Sequence, residues 1–362
     1  MSTAADRGVG RARAEPFLVR SKSLVLFVAV CLLVVVPARA GAGTDLQTKL
    51  WHYGDTGGGW TGADGTYSVR LPDGRIAWLF SDTFLGTVNG HSRPTNSPFV
   101  HNSIVVQDGD SFSTLVSPGP AAEIIPIEGP GFYWLGDGIV ENGELLVFAL
   151  RFDAAPLPFA FQQLGVDIAR FSLPSMTLTG IERAPQAFQP APAPVSFGSA
   201  VMSDVAYDYV YGSEDLHAEK YLHVARAPAG HLLDGTWEYF GPLGWTTMAQ
   251  LSSRLLGGIA NELSVSHIGS RYVLVTQDHS IGADIMVSYA VAPEGPWSAP
   301  VPVYTAPEVG QGLLVYNAKA HEELSTPNDL VVSYNVNTTN SANLYSNVDT
   351  YRPRFIDVIL GD

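Results

Sequence analysis

"GADGTYSVRLPDGRIAWLFSDTFLG", residues 62–86, reads as a strand, a Pro-Asp-Gly turn and a second strand, with an acid near each end. Gly74 supplies the positive φ that a three-residue hairpin connection needs. That turn pairs Leu71 with Arg75, and counting outward it sets Asp64 opposite Asp82. A two-residue Asp-Gly turn would shift the register by one and set Asp64 opposite Thr83. In the first register the two carboxylates share a sheet face, with Cα atoms about 4.5–5.5 Å apart. Like charges so placed destabilise a hairpin, unless a ligand group separates them or one is protonated. An acid with a raised pKa beside an ionised neighbour suits general acid/base work, and glycosidic hydrolysis uses that division. Asp before Gly or Thr also serves as plain strand-start and turn chemistry.

The pattern returns along the chain. "GDGIVENGELLVFALRF" begins at Gly136, "SDVAYDYVYGSEDLHAEKYLHVARAP" at Ser203, "NELSVSHIGSRYVLVTQDHS" at Asn261 and "VYNAKAHEELSTPNDLVVSYNVNT" at Val315. The leading polar residues are Asp64, Asp137, Asp204, Glu262 and Asn317, at separations of 73, 67, 58 and 55 residues. Five imperfect units, each long enough for four strands, predict an all-β, five-bladed β-propeller. Radial closure would bury strand edges that otherwise invite aggregation. A two-sheet sandwich with long loops is the competing arrangement. No amphipathic helix of twelve or more residues stands out, and residues 247–256 form the best short candidate. "RAPQAFQPAPAP", 183–194, reads as a linker between the second and third units. "YRPRFIDVIL", 351–360, predicts a strand that pairs with the first unit or completes the fifth.

Residues 1–40 predict a secretory signal peptide: Arg20 and Lys22, an apolar run from Leu24 to Val36, then Ala38-Arg39-Ala40. The run is short of the roughly 20 residues that span a bilayer, which disfavours a retained anchor. The expectation is a secreted, extracellular protein with one domain over residues 41–362. The only cysteine, Cys31, lies in the leader, so the mature core would hold without disulfides. The whole chain of 362 residues carries a net charge of −15. Removing the leader leaves 14 basic against 33 acidic residues, a net −19. That balance disfavours nucleic acid and anionic lipid and suits a neutral ligand. The expected protein is a monomer that acts on a neutral polysaccharide or oligosaccharide.

If the repeat holds, further groups meet beside Asp64 and Asp82. Asp137, Asp204, Glu262 and Asn317 lead their units, and Trp60, His101, Asn102, Trp134 and Tyr207 flank strand ends. Aromatic rings stack on the apolar faces of sugars while acids and amides bond their hydroxyls. Aromatics in β proteins also serve as ordinary core. The nine histidines show no zinc-site spacing, so no metal and no cofactor is expected. A structural Ca²⁺ in the channel would need Asp and carbonyl ligands, for which no signature exists. No G-x-S-x-G nucleophile elbow occurs, and no helix follows the glycines of "DTGGGW", 55–60.

The opening stretch, "FVHNSIVVQ" (99–107), "YVYGSEDLHAEKYLHVARAPAG" (209–230), "NELSV" (261–265) and "PWSAPVPVY" (296–304) resemble a known group. They are similar to the actinobacterial secreted propeller families catalogued as domains of unknown function 4185 and 5005, over about residues 50–360. That group resembles five-bladed glycosidases of arabinofuranosides and fructosides, and some relatives are endo-D-arabinanases. The resemblance implies a secreted hydrolase of a pentofuranose polymer such as arabinan, with Asp64 and Asp82 as acid and base. It implies substrate-binding or pKa-setting roles for Asp137 and Glu262. It favours inversion, whereas the hairpin alone allows about 5 Å between carboxyls, the retaining spacing. Arabinofuranosidase-type propellers usually take their acid from a third-unit Glu, whereas the third unit here leads with Asp204. The rival function is a non-catalytic carbohydrate-binding propeller, which would need the aromatics and amides but not both acids.

Overall fold

The computed structural model describes residues 41–115, 117, 123–156, 160–190 and 194–360. The expected signal peptide and Cys31 lie outside the described residues. Six antiparallel sheets form among the described residues: a small one pairs Trp60–Ala63 and Phe99–Val100 with Thr83–Leu85 between them, and the other five follow one another along the chain. The first pairs Tyr67–Arg70, Ile76–Phe80, Ser103–Asp108 and Ser111–Thr114. The second pairs Phe132–Glu141, Glu144–Ala154, Phe161–Ser172 and Thr177–Arg183. Val195–Ser203, Tyr207–Asp215, Lys220–Pro228 and Glu238–Gly241 form the body of the third. Leu263–Ile268, Arg271–Gln277, Asp284–Ala290 and Val301–Thr305 form the fourth. The fifth has three strands, Leu313–Ala320, Asp329–Thr338 and Arg354–Ile359.

The first strand of each sheet touches the first strand of the next. The series closes on itself. Ser68 Oγ lies 2.6 Å from His321 Nδ1, and Asn335 Nδ2 donates to Thr66 Oγ1 at 3.0 Å. These inner strands approach closely: a Cβ on Gly136 would stand 2.3 Å from the Gly198 carbonyl oxygen of the next one. Only glycine fits there, and Gly198 itself has φ +117°.

Alternation within strands builds the core. Val147 and Ala149 face the first sheet, while Leu146 and Phe148 face the third. Val273 and Val275 face the fifth sheet, while Leu274 faces the third. Sheets apolar on both faces read as continuous runs such as "LLVFAL", and each interface between neighbouring sheets becomes a separate cluster.

Several expectations need correction. A 15-residue helix, Ala42–Thr56, precedes the sheets. Its apolar stripe is narrow: Leu46 and Leu50 are buried, and Gly43 lets it lie against the backbone at Ile356. Two leucines and a glycine do not announce an amphipathic helix. Residues 247–256 hold no α-helix, only the 3₁₀ turn Ala249–Leu251 and the start of the short strand Leu256–Gly257. Of the two pairings expected for the C-terminal strand, the second is found and needs no correction: it completes the fifth sheet, beside Asp329–Thr338. The third unit begins earlier than its repeat suggested: its inner strand is Val195–Ser203, and Ser203 ends rather than starts it.

Candidate active site

The Pro72–Gly74 turn is the three-residue one. Leu71 N donates to Arg75 O at 2.8 Å, and Tyr67 pairs with Leu79. The same register continues outward, so Asp64 N donates to Asp82 O at 3.2 Å. The ladder kinks there: Ser81 N also donates to Asp64 O, and Gly65 and Thr66 take φ +85° and +61°. Comparable irregularities recur between Leu135 and Gly138, Phe197 and Ala200, and Tyr316 and Lys319. A bulge re-aims side chains, and here the bulges line one level of the ring.

Each carboxyl is held by two donors on one oxygen. Asp64 Oδ2 accepts from Tyr316 Oη and Tyr351 Oη, both at 2.9 Å. Asp82 Oδ1 accepts from Trp134 Nε1 at 2.7 Å and lies 2.7 Å from His101 Nδ1. No side-chain hydrogen bond among the described residues reaches Asp64 Oδ1 or Asp82 Oδ2. Burial pushes Asp64 up to about 8, aided by the charges of Asp82 and Glu262, while the tyrosine hydroxyls oppose the shift. The hydrogen bond to Asp82 raises His101.

Beneath Asp64, Lys319 is buried. Its Nζ donates to the Gly65 carbonyl, pairs with Glu262 at 2.5 Å and sits 4.0 Å over the Tyr67 ring. Burial raises Glu262, with Lys319 opposing. Asp64 and Glu262 stand just before the N-terminal ends of the inner strands Tyr67–Arg70 and Leu263–Ile268. A polar cavity of about 520 Å³ opens at the other end, lined by Ser68, Asp137, Ser266, Lys319 and Glu323 among others.

Of the residues singled out in the sequence, Asp64, Asp82, His101, Trp134 and Glu262 come together. Asp137 belongs to the far cavity. Its oxygens accept from Gly138 N and Val201 N, each at 2.8 Å, and burial pushes it up to about 7. Asn317, at φ +60°, forms the bulge between Tyr316 and Lys319. Four expectations are corrected. Trp60 is wholly buried and packs on Phe80 at 5.3 Å between ring centroids. Asn102 is also buried and ties the backbones of Ile125 and Tyr133. Asp204 is exposed and accepts from Ala206 N and Tyr207 N in the turn after the third inner strand. Tyr207 lies beyond the same turn, with Arg226 3.9 Å over its ring. The misphased third unit explains these last two.

The sequence reading missed Tyr316, Lys319 and Tyr351. Tyr316 directly precedes the unit-leading Asn317, so position in the repeat could have found it. Tyr351 ends the last short helical turn, Val348–Tyr351, and carries no signal. No group of three or more His, Cys, Asp or Glu residues able to hold a metal occurs among the described residues. No helix among them is long and apolar enough to cross a membrane.

The fold is shared with a candidate hydrolase from Bacteroides ovatus ATCC 8483, at 24% identity and a TM-score of 0.72, covering 89% of this chain and 93% of that one. A candidate exo-β-1,3-galactanase from Bifidobacterium bifidum s17 is 12% identical with a TM-score of 0.50, covering 85% and 91%. A glycoside hydrolase family 43 enzyme from Xanthomonas citri, complexed with xylose, is 14% identical with a TM-score of 0.46, covering 82% and 88%. No curated protein matches the sequence. Of the two families that the sequence resembles, the match falls on the second, over residues 47–359. The chain belongs to the family described as Domain of unknown function (DUF5005).

Proposed function

We propose that this protein is a secreted five-bladed propeller glycosidase that hydrolyses a neutral polysaccharide, with Asp64 as general acid and Asp82 as general base. The observation that carries the reading is the pair of clamped carboxyls. Each has one oxygen fixed by two donors and one left for a ligand, and Asp64 keeps its proton up to about pH 8. A proton donor at neutral pH beside a fixed acceptor is the equipment glycosidic hydrolysis needs. The protonated Asp64 gives its proton to the leaving oxygen, and Asp82 takes one from the attacking water. The closed ring of five sheets supports the propeller reading, and the Bifidobacterium fold neighbour is named for acting on a galactan. The pentofuranose substrate rests on the family resemblance, and export rests on residues 1–40.

The test is digestion of arabinan, arabinogalactan, galactan and fructan, read as new reducing ends. Release from at least one polymer by the wild type, lost in Asp64→Asn, supports the proposal. Wild-type protein that binds a polymer without cutting it sinks the hydrolase and leaves a carbohydrate-binding propeller.

A further inference from the structure

The two donors that clamp Asp82 also begin a wall of aromatic rings. On one side, His101 meets Phe99 edge-on at 5.6 Å. On the other, Trp134 meets Phe161 edge-on at 4.8 Å. Phe132 closes the middle, stacked on His101 at 4.2 Å and 5.2 Å from Trp134, and Phe152 backs both Trp134 and Phe161. The wall ends in two phenyl rings that face solvent, Phe99 at 44% and Phe161 at 42% exposure. Each stands one ring away from the same carboxylate, at the two ends of the row.

Half-exposed phenylalanines gathered around one polar group are costly on a surface with nothing to cover them. What covers them must be apolar on its contacting face and continuous with whatever meets Asp82. A phenyl ring has no hydrogen-bonding handle, so it selects for an apolar face and not for particular hydroxyls. The charge nearby sorts the remaining candidates. Asp64 feels the charges of Asp82 and Glu262, and Glu123 accepts from His101 N at 3.2 Å, so an anionic chain such as a polyuronide is repelled.

We infer that Phe99 and Phe161 are stacking subsites for sugar units on either side of the bond held at Asp82, so that the site takes an extended, uncharged glycan chain. This rests on the glycosidase reading above. The two subsites act through chain length: a short glycoside reaches neither phenyl ring, whereas a longer oligosaccharide covers both.

The test uses linear arabino-oligosaccharides from disaccharide to octasaccharide and a chromogenic arabinofuranoside, with Phe99→Ala, Phe161→Ala and the conservative Phe161→Trp. Both residues are less than half exposed and pack on neighbouring rings, so the fold of each variant is checked by near-UV circular dichroism and thermal melting. Each alanine variant is expected to lower kcat/KM on the longest oligosaccharide about tenfold, through KM, with the chromogenic substrate unchanged. Phe161→Trp restores the long-chain value. Calorimetric titration of Asp82→Asn, alone and with each alanine substitution, reads the same subsites without turnover. Hydrolysis whose chain-length dependence survives both alanine substitutions overturns the subsites and leaves the glycosidase standing. Phenylalanine-dependent binding by Asp82→Asn, with no hydrolysis by the wild type, overturns the glycosidase and leaves the subsites standing. Loss of equal size on short and long substrates also overturns the subsites.

Discussion

Asp64 and Asp82 are joined through their main chains, N–H to carbonyl at 3.2 Å, while their carboxyls answer to different partners. Two phenols hold Asp64, and an indole and an imidazole hold Asp82. The backbone link fixes the distance between two strands. The separate clamps fix two directions. Removing either carboxylate should therefore damage turnover more than affinity. Asp64→Asn and Asp82→Asn are each expected to lower kcat by ~10²–10⁴ with KM little changed. Because the two act as a unit, the double variant should be scarcely slower than the worse single one. Reducing-end assays over a substrate range check this, and a loss confined to KM would contradict it.

The proton on Asp64 gives the pH dependence its sign. A general acid works while protonated, so kcat/KM is expected to fall as pH rises through about 8. Stability moves the same way. The folded-state pKa stands above the ordinary 3.8, so between the two values the folded protein holds a proton that the unfolded chain has released. That stabilisation is present at low pH and lost as pH rises through about 8. Asp137, pushed up to about 7, adds loss over the lower part of the range. Melting temperatures across the range should decline towards alkaline pH, and Asp137→Asn should make the decline shallower below about 7. A rise in Tm over that interval would contradict both assignments.

The tyrosines tune this proton in the opposite sense. Their hydroxyls favour the ionised form of Asp64, so removing one raises its pKa further. Tyr351→Phe should shift the alkaline limb of the kcat/KM profile upward, at a cost of about 1 kcal/mol in stability for the lost hydrogen bond. A downward shift would mean that Tyr351 does something other than hold the carboxylate.

The hairpin register was legible because a turn residue and a period of two fix it from local chemistry alone. The pairing of Asp64 with Asp82 followed from Gly74 and a count. The closing sheets were legible as repeats wherever an acid or amide marked the inner strand. They failed in the third unit, where Gly198 and Ser199 occupy the bulge and carry no acid to mark it. Asp204, at the far end of the same strand, was mistaken for the marker. Burial was the other blind spot. Trp60 and Trp134 look alike in sequence, each beside a strand end, but one packs under the helix and the other reaches Asp82. Tyr351 arrives from almost the other end of the chain, and nothing local announces such a contact.

That difference between the two tryptophans predicts a contrast. Trp60 lies among Leu46, Leu50 and Phe80 with no exposed surface. Trp60→Ala should cost about 3–5 kcal/mol in denaturant unfolding, as emptied core sites do. Its KM should match the wild type at a temperature where the variant stays folded. A raised KM without lost stability would return Trp60 to the site.

Lys319 gives the last prediction. It is 1% exposed, in contact with the Gly65 carbonyl and Glu262, directly under Asp64. An ammonium taken so far from water survives by its partners, and Glu262 survives by it. Lys319→Met leaves Glu262 as a buried acid without a counter-charge, which should cost about 3–5 kcal/mol. Adding Glu262→Gln removes the stranded charge, so the double variant should regain part of that loss instead of falling further. Chemical denaturation of the four proteins gives the coupling directly. Strictly additive losses would mean that the pair does not hold this level of the ring, and that the lysine acts through the Gly65 carbonyl alone.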